Sequence, residues 1–313
     1  MSIFLKKLQD LKMQVATTRT LMSGEAFQQL CDVYCGSHYD LHRNPVIATQ
    51  TAKHLDIDGL VCEWDNPRLL FCYSCALKKL LSKLSLLRNQ FVLVSHNEDD
   101  NVTAEYLVLA DSPLVIRWYA QNLMFDHPKA RLIPIGIANS MWPHGSVAML
   151  TRAMDHPSTK EDRVHFNFST WTNPTERYQC IATLEGKGLR FTPFQPHEAY
   201  LSDLSRCKFA ICPPGNGIDC HRTWECFYLR VIPIILRSIF TEALSRLLPC
   251  VLLDSWDAFH PDIVLQYDAL VAVLHQNHRF IDFNHYKDEI ESMLHREAGK
   301  ESRPVASNIH ADC

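Results

Sequence analysis

Lys208-Phe-Ala-Ile-Cys-Pro-Pro-Gly-Asn-Gly-Ile-Asp-Cys-His-Arg-Thr-Trp-Glu-Cys-Phe-Tyr-Leu-Arg-Val-Ile-Pro-Ile-Ile235 is the stretch that decides the fold. An apolar run, Phe209 to Cys212, breaks into a Pro/Gly turn. A helix is expected from about Cys220, and a second apolar run, Val231 to Ile235, follows it. Neither run alternates polar with apolar, which is the mark of parallel strands covered on both faces. The same strand, polar loop, helix design recurs along the chain. Phe91-Val-Leu-Val-Ser95 breaks into His96-Asn-Glu-Asp-Asp-Asn101, and Arg131 to Ile137 into Ala138 to Gly145. Val164 to Ser169 runs into Thr172-Asn-Pro174 and a helix from Thr175 to about Glu185, and Cys250 to Asp254 completes the set. The class is therefore α/β, doubly wound.

A chain of 313 residues has room for two such units. The Pro-containing polar stretch between Ser146 and Glu161 is the expected boundary, giving an N-terminal unit over 1–150 and a C-terminal unit over 151–297. The second unit ends in a mostly helical segment, Tyr267 to Glu297. The polar tail from 298 to 313 reads as disordered. Hydrophobic residues make up 47% and charged ones 21%, as in an ordinary globular protein. A net charge of −4 argues against nucleic acid or an anionic membrane as a partner held by bulk electrostatics. No apolar run reaches the ~20 residues of a spanning helix, and the N-terminus does not read as a secretory signal. A cytoplasmic location with reduced thiols is thus expected for the 12 cysteines. The lone Cys72-Tyr-Ser-Cys75 lacks the second pair that zinc needs, and the 16 histidines show no HExxH. Neither a metal nor a cofactor is expected.

In open parallel sheets, ligands bind beyond the carboxyl ends of the strands. The richest such loop is Pro213-Pro214-Gly215-Asn216-Gly217, where glycine permits close backbone approach. Asp219 suits the N-cap of the following helix, whose N-terminus offers N–H groups to a phosphate. Arg222 in the first turn could grip the same diphosphate, and Glu225, on the same helical face, could accept ribose hydroxyls. The bland alternative is equally open: a plain turn, Asp219 as a cap and Arg222 paired with Glu225. No Walker loop or complete dinucleotide fingerprint competes. Cys220-His221 are helix neighbours that cannot face each other, which counts against a thiol-based enzyme.

Residues 200–236 resemble the donor-binding segment of exostosin-like glycosyltransferases, with the pattern Y..L..S.F...P.G.G.D..R.WE followed by an apolar helix and a PI-type strand. Val94-Ser-His-Asn-Glu-Asp99 is similar to another block, in the branch that includes the xylosyltransferases of chlorella viruses. Trp118 to Asn122, Pro134 to Trp142, and Asn167-Phe-Ser169 with Thr172-Asn-Pro174 and Arg177 resemble further blocks of it. Arg230 departs from the family, which usually carries glycine between the helix and the PI strand.

The resemblance implies a GT-B architecture: two Rossmann-like units, nucleotide sugar on the C-terminal one and glycan or glycoprotein acceptor on the N-terminal one. It implies an inverting, metal-independent transfer, most simply from a UDP-sugar, with xylose as one candidate. Asp99 is the first choice for the base, with Glu98 and Asp100 as neighbours. Asn167, Ser169 and Arg177 join Pro214, Gly215, Asn216, Gly217, Asp219, Arg222 and Glu225 on the donor side. His96, Asn97, Asn122, Asn139 and Trp142 are the acceptor-side candidates. Asp56-Ile-Asp58 has the form of a metal-binding DxD but lies outside the matched loops, and is read as chance. A nucleotide-sugar or glycan-binding protein without catalysis would share all these features.

Overall fold

The computed structural model describes residues 21–36, 53–56 and 68–301, with the backbone alone at 53–56 and 297–301. The first sheet is built from β1 (Val33–Gly36), β2 (Lys53–Asp56), β3 (Leu69–Tyr73), β4 (Phe91–His96), β5 (Val115–Ala120) and β6 (Ala130–Leu132). Its helices are α1 (Gly24–Leu30), α2 (Leu77–Lys83) and α3 (Leu107–Asp111). After α4 (Val147–Asp155) come β7 (Glu161–His165), α5 (Pro174–Gly186), α6 (His197–Arg206), β8 (Cys207–Ile211) and α7 (His221–Tyr228). The chain then forms β9 (Ile232–Leu236), α8 (Ile239–Ser245), β10 (Val251–Leu253), α9 (Tyr267–Gln276) and α10 (Phe283–Glu301).

The strands assemble as two parallel sheets, in the orders β2-β1-β3-β4-β5-β6 and β10-β9-β8-β7. Every residue of β3 and β4 is buried, as unbroken apolar runs between helical layers require. The register aligns Leu93 with Trp118 in the first sheet and Ala210 with Pro233 in the second. Edge strand β7 instead carries exposed Glu161 and Asp162, charges that discourage pairing with another chain. Pro174 opens α5 at its first turn, where a missing N–H costs nothing. All of this matches the α/β class read from the sequence.

Three expectations need correction. The run Arg131 to Ile137 is strand only through Leu132, because Pro134 has no N–H to give a ladder and Gly136 turns through φ 68°. Its freed groups are used elsewhere, as described below. The terminal helix, expected with the C-terminal unit, returns to the first sheet. On α10, Phe283 and Tyr286 pack edge-on against Phe27 of α1, and Glu289 bonds Tyr119 and Arg131. That helix also continues to Glu301, past the point where composition turned polar. Residues 302–313, the rest of the expected tail, and the Asp58 of the DxD pattern lie outside the described residues, as does the side chain of Asp56.

Arg230 ends a helix in the left-handed region. It stands at φ 55°, just past the end of α7, where its N–H donates to Phe227 O and the N–H of Val231 to Cys226 O. That is the Schellman arrangement, which places a left-handed residue, normally glycine, after the helix cap. The side chain is exposed at the amino end of β9, the end of the sheet opposite the glycine loop. Backbone geometry thus explains why glycine would suit this position, and the Arg230 side chain lines a shallow cavity with Tyr267 and His275. Arg230→Gly is expected to relieve a left-handed strain of about 0.5–1 kcal/mol and raise the melting temperature by roughly 1–2 °C. A lower melting temperature in calorimetry would show instead that the side chain holds the turn.

Candidate functional site

The carboxyl ends of the two sheets meet along a seam closed by a few buried polar contacts. Asp219, 3% exposed, is its centre. Its Oδ2 accepts from Ile135 N–H at 2.7 Å, its Oδ1 from Trp224 Nε1 at 2.7 Å, and its own N–H donates to Asn122 Oδ1 at 3.1 Å. The extended stretch after β6 therefore supplies a donor that no strand partner uses. Burial pushes the Asp219 carboxyl up to about 7, against the pull of the N–H groups of Ile135, Trp224 and Cys220. Asp219 was expected as the helix cap, but the N-cap residue of α7 is Cys220, and no side chain caps it. Nearby, His221 Nδ1 lies 2.8 Å from Gly136 O, and Tyr228 OH accepts from Met22 N–H.

On the first sheet's side, β4 and β5 are each followed within two residues by an asparagine held in the left-handed region, Asn97 at φ 68° and Asn122 at φ 53°. Asn122 Nδ2 reaches the carbonyls of Glu98, Asp99 and Asp100, so one buried amide shapes the whole acidic loop. Asn97 ties Gln28, Asn139 and Gln121 together, and Asn139 Oδ1 accepts from Glu25 N–H. His96 is fully engaged: Nε2 donates to Pro134 O and Nδ1 accepts from Asn97 N–H. Burial pushes it down to about 4, so it is a neutral brace. Of these two acceptor-side candidates, Asn122 holds the acidic loop and does not line the cavity described next, whereas His96 braces Pro134 and also lines that cavity.

What these braces leave is a cavity of about 310 Å³, lined by Asn97, Glu98, Asp99, Asn139, Trp142 and His221 among others. Asp99 is exposed within it, and Glu98 lines it too, with Oε1 3.1 Å from Cys75 Sγ. Asp100 is not part of the lining. Trp142 is 42% exposed at the rim, whereas Trp118 is wholly in the core. His221 is a site residue that the sequence reading missed. With Nδ1–H held by Gly136 O, its Nε2 keeps a lone pair on the cavity side, and burial lowers its proton affinity. Its only sequence signal was its place at the start of the helix behind the glycine loop.

On the second sheet's side, the glycine loop passes close to the acidic loop. A Cβ on Gly217 would lie 3.0 Å from Asp99 O and 3.2 Å from Asn122 Nδ2. Gly215 is equally confined, by Arg177 Nη2 and Cys220 Sγ. Arg177, expected as a second phosphate ligand, is buried and donates to the carbonyls of Ser169, Pro213 and Pro214. It builds the loop from beneath. Asn167 Nδ2 likewise donates to Thr192 O and Pro193 O, while Ser169 and Asn216 are exposed. Glu225 is not paired with Arg222. Its oxygens accept from Tyr200 OH at 2.8 Å and His197 Nε2 at 3.0 Å. Burial works to raise that carboxyl, yet these bonds and the Arg222 charge hold it below the ordinary value. One acceptor position on each oxygen of Glu225, expected as a ribose ligand, is thus taken within the protein.

Arg222 differs from the others. Its guanidinium lies 4.9 Å over the Tyr200 ring and 5.9 Å from Phe168, and its Nη1 is buried with no partner. A cation held on aromatic faces and short of hydrogen bonds is a ready anion ligand. Among the described residues no group of three His, Cys, Asp or Glu has the geometry to hold a metal ion, none of ten cysteines forms a disulfide, and no helix is long and apolar enough to cross a membrane. No protein-family model matches the sequence, and no curated protein matches it significantly.

The seam can be tested directly. In Asp219→Asn the amide must turn its NH₂ toward either Ile135 N–H or Trp224 Nε1–H, leaving a buried donor unpaired. At pH 8 this is expected to cost about 1.5–3 kcal/mol, lowering the melting temperature by roughly 3–8 °C. An unchanged melting temperature would mean that Asp219 does not hold the two sheets together.

Proposed function

We propose that the chain is an inverting glycosyltransferase of GT-B architecture that moves a sugar from a nucleotide diphosphate donor to a glycan hydroxyl. The observation that carries this reading is the meeting of two unlike loops. The glycine loop, backed by the Arg222 cation whose Nη1 has no hydrogen-bond partner, touches the main chain of Asp99, whose side chain lies in an open cavity. An anion-binding loop and a carboxylate base at one spot are what a diphosphate-displacing transfer requires.

In this reading, the acceptor sugar sits in the cavity on Trp142, with Asn97 and Asn139 at its wall. Asp99 takes the proton from the acceptor hydroxyl as the oxygen bonds to the anomeric carbon. The bond from that carbon to the diphosphate breaks on the opposite face, and the leaving charge falls on Arg222 and the N–H groups at the start of α7. His96, Asn122, Arg177, Asn167 and Glu225 position these groups without touching the reacting atoms. The donor is taken to be a UDP-sugar, with xylose as one candidate, and the acceptor a glycan or glycoprotein in the cytoplasm. Because side chains and a helix terminus neutralise the diphosphate, transfer should persist in EDTA.

Asp99→Asn separates chemistry from binding. The variant should bind donor like the parent and lose roughly 10²–10⁴-fold in kcat, since an amide cannot take the proton. A loss under about fivefold would move the base to Glu98 or His221. Arg222→Ala should weaken nucleoside diphosphate binding by roughly ten- to hundredfold in calorimetry. Unchanged affinity would remove this loop as the donor site.

A further inference from the structure

The cavity beside Arg230 lies at the amino ends of β7 and β9, between α4 and α9 and away from the glycine loop. Its volume is about 270 Å³. That is near the small end of ligand cavities, roughly 300–1,000 Å³. Among the described residues its lining carries Lys160, Arg230 and His275 and no aspartate or glutamate. Met154, Val271 and Tyr267 supply an apolar wall.

The backbone around this cavity is held from both sides. Lys160 Nζ donates to Ser205 O at 2.8 Å, Cys207 O at 3.0 Å and Leu229 O at 2.8 Å. Tyr267 OH donates to Arg230 O at 2.8 Å, which pins the turn after α7. All three ammonium donors are thus spent on neutral carbonyls, and no carboxylate among the described residues pairs with the charge. Burial, with the Arg230 charge adding to it, pushes the Lys160 amine down to about 8. The hydrogen bonds of Arg230 among the described residues all come from its main chain, which leaves the guanidinium unpaired. It also stands at φ 55°, a position that glycine would fill without strain. Such strain tends to persist where the side chain serves a site.

We infer that this cavity binds a small organic carboxylate, with its charge on Arg230 and its hydrocarbon body on the apolar wall. The guanidinium fork takes both carboxylate oxygens. Lys160 attracts the anion by charge alone, since its donors are already used, and the His275 ring stands at the same rim. The body of the ligand lies against Met154, Val271 and Tyr267. Inorganic phosphate matches the charge but has nothing to place on that wall. The inference goes beyond the transfer reading and does not depend on it, because no residue of this cavity lines the one at Asp99.

Titration calorimetry on the full chain with hexanoate, 4-phenylbutyrate, hexan-1-ol and inorganic phosphate tests it. The parent should bind at least one of the two acids with a dissociation constant of about 1 mM or tighter. Hexan-1-ol, which lacks the charge, and phosphate, which lacks the body, should bind about tenfold more weakly or worse. Arg230→Gly and Arg230→Asn both suit a left-handed position and should fold like the parent. Each should lose about tenfold or more in affinity for the acid. Val271→Phe, which fills the apolar wall, should weaken the same acid while leaving Arg230 in place. No binding of either acid by the parent would overturn the inference, as would affinity within twofold of the parent in both Arg230 variants. Hexan-1-ol binding as tightly as hexanoate would show an apolar hollow with no anion site. Phosphate binding as tightly as the acids would show an anion site with no use for the wall, and either result would contradict the proposed ligand.

Discussion

One buried carboxylate organises the molecule. Asp219 lies where the two parallel sheets face each other, and its contacts reach Ile135 and Asn122 on one side and Trp224 on the other. A buried carboxylate without hydrogen-bond donors would be strongly disfavoured, so the stretch after β6 has to run extended past the glycine loop to supply one. Pro134 and Gly136 keep that stretch out of the sheet and so leave Ile135 N–H available. From this constraint follow the close approach of Gly217 to Asp99 and the placing of His221 against Gly136.

The site divides into groups that build and groups that remain free to act. His96, Asn122, Asn167, Arg177 and Glu225 each make hydrogen bonds within the protein, most of them to backbone carbonyls. Such commitments hold loops in shape without regular secondary structure, and they explain why so many polar residues are buried at this end of the sheets. Asp99 and His221 line the cavity, and Arg222 Nη1 is left without a hydrogen-bond partner. In the proposed transfer, donor chemistry falls on the second sheet and proton transfer on the loops of the first.

The apolar runs made the parallel strands legible, and the loops at their carboxyl ends directed attention to the end where the cavity lies. Periodicity could also place α5, with its opening Pro174. What was not legible depended on partners distant in sequence. Arg177 and Glu225 look like ligand groups in isolation, and only the fold shows that carbonyls, His197 and Tyr200 already satisfy them. The return of α10 to Phe27 and Tyr119 rests on contacts spanning most of the chain, which no local pattern encodes. His221 carries no motif, and its place in the site comes from the lone pair left on Nε2 once Nδ1–H is bonded to Gly136 O.

The central claim is that this seam binds a nucleotide sugar. The most direct measurement is the melting temperature of the full chain against a panel of nucleoside diphosphate sugars at about millimolar concentration, with the free sugars as controls. A ligand that binds only the folded state raises the melting temperature by mass action, by about 2.7 kcal/mol of stability at a hundredfold excess over its dissociation constant. The account predicts a clear rise with at least one such donor, uridine diphosphate sugars foremost, and none with free sugars. A melting temperature unmoved by every nucleoside diphosphate sugar would contradict it.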